Sequence, residues 1–104
     1  MAVANSETPP TWSPEFEDDK GFPYHIDEYH KDVRKWQTAT KVSAERHGPL
    51  LSLALGTTAR IVADEIDDNV LANGCEYNLM DGRGRVFRTG PEILLATLRS
   101  KFPP

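Results

Sequence analysis

The chain has 104 residues, 27% charged and 38% hydrophobic, with a formal net charge of −4. This is room for one small domain with a stability on the order of 5–10 kcal/mol, and no apolar run approaches the ~18 residues of a membrane span. The single cysteine, Cys75, excludes an intrachain disulfide and fits a reducing compartment, and the opening residues lack the basic and apolar regions of a signal peptide.

Residues 1–10 are small, polar and proline-ended, and read as a disordered tail. Residues 11–24 differ, because Trp12, Phe16, Phe22 and Tyr24 fall among Pro14, Pro23 and the acidic run Glu17-Asp18-Asp19. Each such ring can bury ~150–250 Å², so leaving four in water is costly. An extended arm docked onto helices is expected. The alternative is that these rings wait for a partner surface.

The first helix is expected from about Asp27 to Thr40, with Asp27 as its N-cap. Ile26, Tyr29, Val33 and Trp36 step by three and four and form one apolar stripe. Gly48-Pro49 then reads as a stop followed by a helix start, with Pro49 in the first helical position. Leu50-Leu-Ser-Leu-Ala-Leu55 is apolar on nearly every side, the pattern of a buried central helix. Gly56 ends it, and Thr57 or Thr58 is expected to cap a helix over Ala59–Ile66. Asp67 and Asp68 open a further short turn carrying Val70 and Leu71, which Asn73-Gly74 closes.

From Cys75 the helical period is lost. Glu76–Met80 and Arg85–Thr89 flank Asp81-Gly-Arg-Gly84, which together read as a β-hairpin. Gly90-Pro91 starts a last helix with Ile93, Leu94, Leu95, Leu98 and Phe102 on its apolar side. The expected fold is mainly α: four or five short helices, one inserted hairpin, and the aromatic N-terminal arm. Residues 11–104 form its single domain. Trp36, Leu51, Leu55, Ile61, Leu94 and Leu98 are expected in the core.

A search for chemistry finds no catalytic set. His25, His30, His47 and Cys75 offer no Cys-x-x-Cys pair and no histidines at i, i+4, so no metal or other cofactor is expected. His47 beside Gly48 reads as a loop histidine. Cys75 follows a helix end, where the negative dipole end works against a reactive thiolate. Asp64, Glu65, Asp67 and Asp68 read as a solvated face. Asp81-Gly-Arg-Gly84 is neither a Walker loop nor a dinucleotide fingerprint.

Binding features are clearer. Charge alternates in blocks: residues 1–30 and 60–81 are acidic, residues 31–59 and 82–104 basic. One copy's acidic face could therefore meet another's basic face. Arg83, Arg85 and Arg88 crowd the hairpin, and arginine forks suit carboxylates and phosphates. RNA, another polyanion or a second copy are candidate partners there, the ordinary alternative being a solvated turn.

The landmarks, in order, are Pro10-Thr-Trp12-Ser-Pro14-Glu-Phe16, Phe22-Pro-Tyr24, Tyr29-His-Lys-Asp-Val33-Arg-Lys-Trp36, Glu45-Arg-His-Gly-Pro49-Leu, Leu55-Gly56-Thr-Thr-Ala59-Arg60-Ile, Asn73-Gly74 and Pro91-Glu-Ile-Leu94-Leu95-Ala-Thr-Leu98-Arg-Ser-Lys-Phe102. This series resembles the Gag-like segment at the front of copia-like LTR-retrotransposon polyproteins, over about residues 10–104. The resemblance implies a helical capsid-like domain that assembles with its own copies and packages RNA into a cytoplasmic virus-like particle. The zinc knuckle that usually grips RNA in such polyproteins has no counterpart in this sequence.

The leading expectation is thus a self-assembling structural domain, with no enzymatic activity, small-molecule substrate or membrane partner. Trp12 and Phe16 on the arm, together with Arg83, Arg85 and Arg88, are expected to make the intermolecular contacts. The alternative is a non-assembling helical adaptor whose groove binds a peptide or protein.

Overall fold

In the computed structural model, which describes residues 8–17, 20–78 and 84–103, the chain forms five α-helices and one two-stranded antiparallel hairpin. The helices are α1 (Ile26–Ala39), α2 (His47–Ala54), α3 (Thr57–Ala63), α4 (Asp68–Asn73) and α5 (Gly90–Lys101). A 3₁₀ turn, Ala44–Arg46, leads into α2. The strands β1 (Cys75–Asn78) and β2 (Arg85–Arg88) lie between α4 and α5. The tail expected over residues 1–10 falls largely outside the described residues.

Helix α1 buries the stripe the sequence announces: Ile26, Tyr29, Val33 and Trp36. It starts one residue early, with His25 in the capping position and no side-chain cap. Asp27, expected as the cap, lies within the first turn beside Glu28, where carboxylates favour the positive helix end. Helix α5 packs against the other four helices and carries the buried Ile93, Leu94, Leu95 and Leu98. Its start is doubly fixed. The Thr89 hydroxyl accepts from the Glu92 amide at 3.3 Å, and the Glu92 carboxylate accepts from the Thr89 amide at 3.0 Å. This capping box fixes where α5 begins, and its packing against all four other helices makes α5, not α2, the hub of the core.

Helix α2 begins at His47, two residues before Pro49. It is also not buried all round, since Leu51 is fully enclosed whereas Leu53 is 60% exposed. Helix α3 starts at Thr57 behind Gly56 without the threonine cap the sequence suggests, and ends at Ala63, short of Ile66. Its buried side is the i, i+4 pair Ala59 and Ala63, which turns Ile61 to the opposite side. Ile61 is therefore 64% exposed and not a core residue. Helix α4 opens as expected, with the Asp67 carboxylate accepting from the Asn69 amide at 2.9 Å.

The two Gly-Pro steps share a purpose. A Cβ on Gly48 would lie 2.0 Å from the Leu71 carbonyl oxygen, and one on Gly90 1.7 Å from the same atom. The N-terminal turns of α2 and α5 thus press their glycine Cα–H groups onto the C-terminal half of α4. Positive helix ends meet exposed carbonyls there, and only a missing side chain permits the approach.

The aromatic segment docks on this body through Trp12, which is 2% exposed. Its indole N–H donates to the Tyr24 carbonyl at 2.7 Å, and its own carbonyl accepts from the Gly56 amide at 2.8 Å. Its ring stacks on Tyr29 and tilts against Phe102 at centroid separations of 5.9 and 5.6 Å. Trp12 is a core residue, so the expectation that it contacts another copy is corrected. A ring this enclosed offers no surface. His47, expected in a loop, is also buried, donating through Nε2 to the Val42 carbonyl at 2.9 Å beside the Trp36 ring.

Candidate interaction groove

The hairpin register pairs Cys75 with Arg88, Glu76 with Phe87, Tyr77 with Val86 and Asn78 with Arg85. Strand side chains alternate between faces, so Tyr77, Val86 and Arg88 share one face while Arg85 and Phe87 share the other. The structure therefore separates Arg85 from Arg88, and Arg83 lies outside the described residues. On the outer face Arg85 is ion-paired with Glu76 at 3.6 Å, and Phe87 is 55% exposed. Gly74, at φ 78°, lets the chain leave α4 with no Cβ to strike the Arg88 carbonyl oxygen, which would lie 2.3 Å away.

The inner hairpin face overhangs α5 and α1. Between them runs an open trough of about 660 Å³. Tyr77, Val86, Ile93 and Ala96 form its apolar part, and His30, Arg34, Arg88 and Arg99 its basic edge. A second depression, about 440 Å³, continues it toward Gln37 and Pro91 and shares His30, Arg34, Glu92 and Leu95. Glu92 lines both depressions. Its carboxylate lies 3.8 Å from the Arg88 guanidinium, and the Thr89 amide first, with Arg88 and Arg34 adding, keeps it below the ordinary 4.5 despite partial burial. Arg99 reaches Asp27 at 2.6 Å and ties α5 to the start of α1.

These pairs involve side chains about half exposed, so each is worth under ~1 kcal/mol. Three arginines and a histidine face two carboxylates. A guanidinium carries five N–H donors, more than one carboxylate contact consumes, so donors remain for an incoming carboxylate or phosphate. Of the residues expected from sequence, only Arg88 belongs to this trough. Its companions Arg34 and Arg99 were missed. The signal was present on α1, where His30 and Arg34 stand at i, i+4 on the flank that faces α5.

On the other flank of α1 the charge is reversed. Glu28 and Asp32, also at i, i+4, line a cleft of about 650 Å³ with Glu17, Phe22 and Tyr24. The Tyr24 hydroxyl donates to the Asp32 carboxylate, and burial with that bond pushes the phenol up. Phe16 lies near this end of the arm, 37% exposed, with its carbonyl accepting from the Tyr24 amide at 2.9 Å. Among the described residues there is no group of three His, Cys, Asp or Glu side chains placed to hold a metal ion, and no helix is long and apolar enough to cross a membrane. Comparison with protein-family models, with curated proteins and with solved structures finds no match to this chain.

Proposed function

We propose that the chain is a structural, self-assembling module of the Gag or capsid type, working through surfaces and without enzymatic chemistry. The observation that carries this reading is the trough itself. It is open and long, apolar in its floor and arginine-rich at its edge, the composition of a surface that meets another macromolecule. Tyr77 in its floor is exposed, and Phe87 on the outer hairpin face and Phe22 beyond α1 expose further apolar area elsewhere. Weak contacts suffice for assembly when each copy makes several.

In the same reading the shell packages RNA, with Arg34 and Arg88 on the trough, and Arg85 on the outer hairpin face, as phosphate contacts. Negative-stain electron microscopy of the concentrated protein, with and without RNA, tests it. Particles or strings of regular repeat are expected. Fields of single molecules at every concentration in both samples would contradict the proposal.

A second reading, a peptide-binding adaptor, is favoured by the apolar floor of Tyr77, Val86 and Ile93. It predicts a monomer that binds an acidic, aromatic peptide and loses that binding in Tyr77→Ala, with fluorescence anisotropy as the readout.

A further inference from the structure

The buried stripe of α1 divides its surface. At about 100° per residue, Glu28 and Asp32 fall on one side of Ile26, Tyr29, Val33 and Trp36, and His30 and Arg34 on the other, so the two flanks face in nearly opposite directions. The acidic flank is extended by Glu17 and by Phe22, which is 63% exposed. The basic flank is extended by Arg88 and by the apolar floor under the hairpin. One flank offers carboxylates beside an exposed ring, with Glu28 3.7 Å from Lys31; the other offers three guanidinium groups, two of them paired with Glu92 and Asp27, beside apolar surface.

We propose that the occupant of the trough is a second copy of this chain, presenting its acidic flank of α1, with Glu17, Phe22 and Glu28 set against Arg34, Arg88 and the Tyr77–Val86 pair. This rests on the self-assembly reading and specifies its contact. Unlike patches meet, so the contact is heterologous, and each added copy leaves one trough and one acidic flank open. Because the patches point in nearly opposite directions, the contact repeats as an open chain and does not close as a two-fold dimer. Charge complementarity sets the register, since like-charged alternatives juxtapose arginines or carboxylates.

Two charge-reversed variants of the full chain test this by sedimentation velocity at low salt. One carries Glu17→Lys with Glu28→Lys, the other Arg34→Glu with Arg88→Glu, all at exposed positions. Each alone is expected to lose at least ~10-fold in self-association, because its two patches now bear the same charge. Mixed one to one, they are expected to associate again, alternating along the chain. Circular dichroism and melting establish that both fold. If the arginine reversal does not fold, Arg34→Gln with Arg88→Gln replaces it and is expected to weaken association alone without abolishing it.

Native protein that associates, with both variants associating equally well or with a mixture no better than its parts, overturns the contact and leaves the assembly reading standing. Native protein that stays monomeric throughout overturns that reading itself. Association that appears only on adding RNA and vanishes with nuclease assigns the trough to nucleic acid and overturns the proposed occupant.

Discussion

Three side chains show how single residues set the properties of this protein. Trp12 joins the arm to α1, α5 and the α2–α3 corner, so Trp12→Ala is expected to cost about 3–5 kcal/mol in chemical denaturation. Phe16→Ala, at a ring 37% exposed, is expected to cost under about 1.5 kcal/mol. A Trp12 variant of native stability would place the arm off the core. Tyr29 is fully buried, yet its hydroxyl finds no hydrogen-bond partner among the described residues. Tyr29→Phe removes a desolvated polar atom and keeps the ring, so it is expected to raise stability by about 1 kcal/mol. A loss on that substitution would mean the hydroxyl is bonded after all.

Among the described residues, Glu92 and Glu15 are the carboxylates held below their ordinary range. The Ser13 and Thr58 hydroxyls hold the Glu15 carboxyl below 4.5, as the Thr89 amide does for Glu92. Both groups are depressed in the folded state. Their contributions are therefore complete above 4.5 and are lost as pH falls through the folded values. The melting temperature is expected to drop in that window, and Glu92→Gln to flatten the drop while lowering the plateau at neutral pH. An identical acid limb in the variant would remove Glu92 from this account.

At the scale of elements, the junction of α2, α4 and α5 is the most demanding feature. Gly48→Ala and Gly90→Ala each drive a methyl into the Leu71 carbonyl, so each is expected to destabilise by about 1–3 kcal/mol and lower the melting temperature by several degrees. Alanine is the better helix former, so a stabilised variant would mean the helices do not meet there. The sequence made much of this level legible. The α1 stripe, the Gly90-Pro91 start, Asn73-Gly74 and the hairpin strands were all visible, because each rests on local periodicity or local backbone chemistry, whereas α2 begins two residues before Pro49. What escaped depends on the partner an element meets. Ile61 is apolar in an apolar stretch, yet a seven-residue helix that packs through Ala59 and Ala63 must turn it outward. Leu53 is exposed because α5 takes the central place that the leucine-rich α2 was expected to hold. Arg85 and Arg88 looked like one cluster in sequence, but strand alternation sends them to opposite faces, and the residues that join Arg88 come from α1 and α5.

For the whole molecule, two surfaces differ in charge, one with Glu17, Glu28 and Asp32, the other edged by Arg34, Arg88 and Arg99. Helix α1 lies between them, although Glu92 and Asp27 sit among the arginines and Lys31 beside Glu28. In the self-assembly we propose, one copy's acidic flank meets another's basic trough, and attraction between such exposed groups weakens as the screening length falls from ~10 Å at 0.1 M salt to ~3 Å at 1 M. The direct measurement is sedimentation velocity of the native chain across a wide range of concentration at low and high salt. The sedimentation coefficient is expected to rise with concentration at low salt and to fall back toward the monomer at high salt. A monomer value unchanged by concentration at either salt would contradict the proposed self-assembly.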